Sequence, residues 1–550
     1  MKNKIIAFLI LLFVANICFG AHVTKWKMLE ANNIRSNFYN EGYFDHGIAP
    51  YAPGFEWPKG SGKYAMFTAG INLTAFINGQ LRQAASCYNG EFVNGSYNNN
   101  VINNSPAFKI YKVSRGDNYL NNPDWAEWGS MIPYGATYID TNHNGIYDPA
   151  IDIPGIPGAA STIFMCLTDA DSSTHQHSEP FFNGGTPPLY SEIHITVWAY
   201  SDDVFSDMQF MKYEIINKGV FPWNRTHFTI IADTDLGSDD DDYVGCDTVR
   251  KLGYCYNATN YDSIYGANPP AVGFVFLKGM TDKFINNNPD LGMTSFCPIN
   301  NYSNQNAPCE FMGYSYHSYL FMMGRKVDSS SWLDVTQPFN GNHYKSTKFC
   351  YYGDPESSLG WTELKGKIKN CDFGLNDTGT VIAPNLPGDR VIVMSSGSEN
   401  LTVNPGDTQT VYLSQLITRG SNNLNSVTML KKLADRAQYY YNMNFGITIN
   451  NIITKNIPEY YSLSQNYPNP FNPKTNIRFT IPANQTEFTK NVKLSIFDIN
   501  GKTIAVPVNK ILPSGVYEVV FDGTGLSSGI YFYALQAQNV LLTRKMILLK

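Results

Sequence analysis

Charge is scarce in this chain. Asp, Glu, Lys and Arg supply 16% of 550 residues, against about 25% in average globular proteins. The 40 Lys and Arg are outnumbered by 46 Asp and Glu, giving a formal charge of −6. Without clustered basic residues to neutralise phosphates, nucleic-acid binding is disfavoured. HExxH, P-loop and GxGxxG patterns are also missing. That leaves open a hydrolase whose carboxylates lie far apart in sequence. Long apolar runs are nearly absent. The one at Ile5–Val14 follows Lys2 and Lys4 and precedes small residues up to Gly20 and Ala21. It is short for a membrane span and reads as a cleavable secretory signal over residues 1–20. The bulky Ile17 argues against lipidation of Cys18. No transmembrane segment is expected after cleavage.

Aromatic residues, by contrast, reach 14%, which points to a large aromatic core under an amide-rich surface. The length favours two or more domains. Export also changes the reading of cysteine, because an oxidising compartment permits disulfides. Setting Cys18 aside leaves Cys87, Cys166, Cys246, Cys255, Cys297, Cys309, Cys350 and Cys371, with no CxxC spacing among them. Structural bridges are therefore expected over a thiolate zinc site. Local pairing suggests Cys246–Cys255, Cys297–Cys309 and Cys350–Cys371, leaving Cys87–Cys166.

Most of the chain has β periodicity. Alternating apolar positions in "KYAMFTAGINLTAFINGQLRQAA" flank Asn78-Gly79, the dipeptide of a tight hairpin turn. "MQFMKYEIINKG" with "RTHFTIIADTD", and "RVIVMSSG" with "TQTVYLSQLITRG", suggest two further strand pairs. The clearest helix is 425–442, where Val427, Leu430, Leu433, Ala434, Ala437 and Tyr441 fall on one face and should pack on a sheet. The expected fold is mainly β: a large multi-sheet β-sandwich-type body over 21–456 with one clear helix, then a small Ig-like β-sandwich over 457–550. The boundary is placed between about 446 and 462, where cysteine disappears and a proline-rich stretch begins.

That C-terminal stretch carries several motifs in order. Pro468, Asn469, Pro470, Phe471, Asn472 and Pro473 form a rigid lead-in. Asp498, Asn500 and Gly501 mark a hairpin turn, and Leu526 to Tyr533, with Gly529 and Tyr531, precede "KMILL" from Lys545. It resembles the type A C-terminal sorting domain of the bacterial type IX secretion system. The resemblance implies passage across the outer membrane by that machinery, then display at the cell surface or release. From the residues alone, period-two strands with closely spaced turns read as a small sandwich, and the prolines keep the lead-in from pairing along its length. The body also resembles uncharacterised exported proteins that carry this sorting domain. That likeness rests on "NNIRSNFYNEGYF", "EWPKGSGKYAMFTAGI", "DTNHNGIYDP", "DDYVGCDTVRKLGYCYN", "PPAVGF" and "NPGDTQTVYLSQLITRGSNNLNSVTMLKK", and it implies no activity.

Two acidic stretches could hold a cation. In "DTNHNGIYDPAID", Asp140, Asn142 and Asn144 alternate ahead of Gly145; the Ile146 carbonyl, Asp148 and Asp152 follow. Calcium needs about six to eight oxygens, and alternate residues converge where glycine allows a sharp turn. Ile151 stands where an EF-hand has its bidentate glutamate, so the loop is closer to the short calcium loops of dockerin and thrombospondin type 3 repeats. The alternative is a turn whose side chains cap backbone amides. "ADTDLGSDDDDYVGCD" supplies Asp233, Asp235, Asp239 and Asp241 as ligands for a second calcium, with Asp240, Asp242 and Asp247 nearby. Its alternative is a solvated acidic run.

Other motifs are weaker. The Asp-x-Asp of "FTIIADTDLG" resembles haloacid-dehalogenase phosphotransferases, but Gly237 replaces their Thr or Val and βαβ units are lacking. "NDTGT" resembles aspartic proteases, but Asn376 precedes Asp377 and there is no second copy. His175 and His177 with Asp169, Asp171 and Glu179 form a possible metal cluster, although a solvated polar loop is the simpler reading. Trp57, Trp125 and Trp128 read as core more readily than as a sugar-binding face. The sequence thus predicts an exported, disulfide-bonded, calcium-stabilised protein. Its role would be structural, adhesive or carbohydrate-contacting, with a glycan or cell-surface partner. The alternative is a secreted hydrolase acting on polysaccharide or protein.

Overall fold

In the computed structural model the described residues are 24–49, 51–176, 185–285, 289–300, 308–339, 343–368, 382–442, 460–482, 489–513, 515–537 and 540–549. Two large antiparallel sheets organise the body. The first runs Trp26–Leu29, Ser36–Tyr39, Tyr43–Phe44, Thr68–Ile77, Asn224–Asp233, Arg390–Gly397, Ser295–Asn300, with Gln80–Ala85 also paired to Thr68–Ile77. The second runs Tyr111–Ser114, Ser161–Thr168, Ser191–Ala199, Met208–Asn217, Thr408–Thr418, Ala271–Lys278, Leu252–Asn257, Asp242–Asp247, with Val93–Asn94 beside Ser161–Thr168. Ile71, Leu73, Phe228 and Ile230 of the first sheet join Ile195, Met211, Val272, Phe274 and Leu413 of the second in one buried core. This is the expected β-sandwich body.

Both outer faces are covered as well, which explains why strands such as Ser191–Ala199 are buried at every position, including Glu192, His194 and Thr196, which alternate with Ile193, Ile195 and Val197. Leu252, Tyr254, Val275 and Leu416 on the outer face of the second sheet pack with Val427, Leu430, Ala434 and Ala437 of the helix Asn423–Asn442. At its C-terminal end the buried rings are Tyr439 and Tyr440, with Tyr441 only partly covered. The helix Ser315–Met322 covers the first sheet. Its Ser318 Oγ accepts from Asn72 Nδ2 at 3.1 Å and Gln83 Nε2 at 3.3 Å.

The hairpin at Asn78-Gly79 forms as expected, with Ile77 opposite Gln80 and both turn residues at positive φ, 52° and 80°. Nothing lies near where a Gly79 Cβ would sit, so Gly79→Ala tests backbone conformation alone. It should cost about 1 kcal/mol, read as a lower urea midpoint with unchanged circular dichroism.

The other two expected pairings are corrected. Met208–Asn217 lies in the second sheet and Asn224–Asp233 in the first; likewise Arg390–Gly397 lies in the first and Thr408–Thr418 in the second. Both links cross the sandwich instead of folding back within a sheet. They are bound to each other there, since Trp223 and Val403 exchange N–H···O bonds of 2.9 Å in both directions.

The expected disulfides are also corrected. Cys87, Cys166, Cys246, Cys255, Cys297 and Cys350 are buried free thiols, so none of the four suggested bridges forms. Cys246 faces Gly253 across its strand pair while Cys255 faces Val244. Their sulfurs turn to different carbonyls, Cys350 O at 3.3 Å and Thr234 O at 3.7 Å. Cys166 donates instead to Gly95 O. Cys309 is disulfide-bonded; Cys371 lies outside the described residues.

The C-terminal region is a smaller sandwich of a three-stranded sheet (Ser462–Leu463, Lys474–Ile481, Gly515–Asp522) and a four-stranded one (Thr503–Pro513, Thr489–Phe497, Gly529–Ala537, Val540–Leu548). Ile477, Phe479, Leu494, Ile496, Tyr533 and Met546 are among its buried side chains. The expected boundary falls largely outside the described residues.

Candidate metal centre

Asp233 ends the strand Asn224–Asp233, Asp235 follows two residues later, and Asp389 immediately precedes the strand Arg390–Gly397. These two strands pair with Asp233 opposite Val391, which brings Asp389 to the same end of the sheet. One carboxylate oxygen from each of the three lies within 4.8 Å of the others. Asp233 is 4% exposed. Its Oδ2 accepts a short hydrogen bond from the Tyr88 hydroxyl, while its Oδ1 is buried without a hydrogen-bond partner. Burial and then the neighbouring carboxylates push the Asp233 carboxyl well above its ordinary range. The same causes push Asp235 up to about 7. A buried anion lacking a counter-charge is costly, and this end of the molecule provides three hard oxygen donors of the kind calcium takes.

Of the four acidic residues expected to form this site, the structure brings Asp233 and Asp235 together. Asp239 is exposed, and Asp241 turns its Oδ1 to Asn257 Nδ2 at 2.5 Å. Asp242 is buried and accepts from Leu236 N at 3.0 Å, so it is not part of a solvated run. Asp389 and Tyr88 had no signal in the sequence, because only strand register makes them neighbours of Asp233. Next to the carboxylates stands a partly exposed aromatic group: Phe67 lies 5.7 Å from Tyr88 and 5.6 Å from His46, centre to centre.

In the Asp140–Asp152 loop every expected side chain accepts from backbone. Asp140 takes the N–H groups of Asn144 at 3.2 Å and Gly145 at 2.8 Å. Asn142 takes Asn144 N, Asn144 takes Ile146 N, and Asp148 takes Ala150 N. Asp152, buried, takes Thr141 N at 2.9 Å and Asp148 N at 2.8 Å. His143 and Gly145 are both at positive φ, 58° and 74°. This is the amide-capping arrangement, although each oxygen keeps a second lone pair. The Ile146 side chain is exposed. Trp125, partly buried, anchors the loop by donating from Nε1 to Pro149 O, while Trp57 and Trp128 are core.

Two further groups contain histidine. His175 is buried, so the solvated-loop reading is corrected. Its Nε2 lies 2.7 Å from Asp169 O and 3.6 Å from Asp169 Oδ2, and its Nδ1 is 3.8 Å from Glu91. Asp171 caps Ser173 N; His177, Glu179 and Asp377 lie outside the described residues. Cys166, Glu192 and His194 also converge, but Glu192 is satisfied by His194 Nε2 and Tyr97 N, both at 2.9 Å. Burial holds the Cys166 thiol protonated. An open cavity of about 400 Å³ is lined by Leu291, Met322, Lys348, Asn400, one imidazole (His227) and one carboxylate (Glu399). Burial pushes His227 down to about 4.

The C-terminal motifs form a strap. Phe471, 1% exposed, bridges Leu548 in parallel, and Asn469 Oδ1 accepts from Ile547 N at 2.9 Å. The lead-in thus pairs only at isolated points, as its prolines require. Asp498 Oδ1 accepts from Asn500 N and Lys502 N, both at 2.9 Å, and Gly501 is at φ 78°. Tyr531 OH donates to Ser527 O, the backbone of Gly529 pairs with Leu548, and Lys545 O accepts from Gln465 Nε2. Residues 465–549 match the family described as secretion system C-terminal sorting domain. This region is a type IX secretion sorting domain.

The sorting domain marks the protein for export to the cell surface or beyond it and makes the type IX machinery its partner. No curated protein matches the chain. Among the described residues, no helix is long and apolar enough to cross a membrane.

Proposed function

We propose that the exported body is an adhesive or carbohydrate-contacting surface protein whose binding end is held by calcium at Asp233, Asp235 and Asp389. The observation that carries this is the unpartnered Asp233 Oδ1 among converging carboxylates, beside the partly exposed Phe67, Tyr88 and His46. Aromatic faces pack against sugar rings, and calcium accepts sugar hydroxyls as readily as water because it takes oxygen ligands in flexible geometry.

The test is a glycan array probed with secreted protein in calcium and in chelator. Binding to a subset of glycans is expected, lost in chelator and at least tenfold weaker for Asp389→Asn. Absence of binding in calcium would overturn the carbohydrate reading. Turnover of a chromogenic glycoside that is abolished by Asp389→Asn would replace it with the hydrolase alternative, in which these close carboxylates serve as the catalytic pair.

A further inference from the structure

Two buried cysteines lie side by side at an edge of the first sheet, with a third nearby. The strand Ser295–Asn300 is the last in that sheet, paired on one side with Arg390–Gly397. Its other side is met by the segment around Phe349, which runs parallel to it. Phe296 N donates to Lys348 O at 3.0 Å, Cys350 N donates to Phe296 O at 2.9 Å, and Phe296 bridges Phe349. That register sets Cys297 directly beside Cys350, and Cys297 Sγ donates to Phe321 O at 3.6 Å. Cys246, from the facing sheet, donates from its Sγ to the backbone Cys350 O at 3.3 Å. All three are 0% exposed.

We infer that Cys297 and Cys350 become a disulfide during export, stapling the covering segment to the sheet edge. Adjacent residues of paired strands fall within the Cα separation a disulfide tolerates, and the sorting domain sends the chain through compartments where disulfides persist. The reaction is a two-electron exchange. The two thiols lose two protons and two electrons to a disulfide-bearing oxidant, which leaves as a dithiol while the Sγ–Sγ bond forms. Because neither sulfur is exposed once the body has folded, the exchange takes place before the Phe349 segment closes over the edge. An unpaired sheet edge invites pairing with another chain, and a covalent staple keeps this one covered.

The full chain, produced in an oxidising bacterial periplasm, is denatured in an alkylating agent without reductant, digested and analysed by mass spectrometry. The expected result is one linked species joining the Cys297 and Cys350 peptides, two hydrogens lighter than their sum, with Cys246 alkylated. Cys246→Ser should leave the link intact, and Cys350→Ser should leave Cys297 alkylated. Alkylation of both Cys297 and Cys350 in the unsubstituted chain, or a link through Cys246, would overturn the assignment. The unsubstituted chain alone decides the question if Cys350→Ser does not fold.

Discussion

Glu363→Ala is expected to destabilise the body by roughly 3–5 kcal/mol, the usual cost of stripping one partner from a buried ion pair. Glu363 is 0% exposed and Arg390 2%. The guanidinium donates to Glu363 from Nη2 at 3.0 Å and from Nε at 3.3 Å, and the carboxylate also accepts from Val244 N at 2.8 Å and Asn385 Nδ2 at 2.7 Å. The pair thus ties the first sheet, through Arg390, to Val244 in the second. Alanine would leave a buried cation and an orphaned amide together. The carbonyls of Gly388 and Leu386, which Arg390 also reaches, offset only part of that charge. Urea unfolding followed by tryptophan fluorescence measures the loss. The double change Glu363→Leu with Arg390→Met should recover much of it, because both charges then leave the interior. A loss below about 1 kcal/mol for Glu363→Ala would mean that the backbone carbonyls alone satisfy Arg390.

The elements readable from sequence are those whose signal is local. The Asn78-Gly79 turn, the helix stripe Val427, Leu430, Ala434 and Ala437, and the Pro468–Pro473 lead-in each carry their geometry in adjacent residues, and each forms as expected. What was not readable depends on long-range register. Strand pairs close in sequence, such as Met208–Asn217 and Asn224–Asp233, fit a hairpin as well as a crossover. Only packing of the two sheets, with Trp223 buried in the link, selects the crossover. The same holds for the metal centre. Asp233 and Asp235 stand out as part of an acidic run, but Asp389 is distant in the chain and sits in an ordinary "PGDRVIV" stretch. Cysteine proximity in sequence misled for the same reason: Cys246 and Cys255 are near neighbours in the chain with differently directed sulfurs, while Cys297 and Cys350 are side by side in space.

Calcium in excess should raise the melting temperature of the body by several degrees over chelator, and Asp389→Asn should remove that rise. A ligand at a hundredfold excess over its Kd contributes about 2.7 kcal/mol to the folded state, and for a large domain each kcal/mol moves the midpoint by roughly 2–4 °C. Two acidic stretches could produce the effect, so the variants must separate them. Asp140→Asn alters the loop in which all donors already cap amides, whereas Asp389→Asn alters the cluster containing the unpartnered Asp233 Oδ1. If calcium fills only the cluster, Asp140→Asn keeps the whole calcium response and loses only the stability of its turn. Asp233→Asn gives the sharpest distinction. In a merely structural acidic patch the change would lower stability in every buffer through the altered Tyr88 hydrogen bond. In a cation site it removes a carboxylate that is costly to bury when the cation is absent. The variant should therefore melt no lower than the parent in chelator and fail to respond to calcium. Calorimetric scans of parent and variants in both buffers make the comparison; equal midpoints for the parent in calcium and chelator would remove calcium from both stretches.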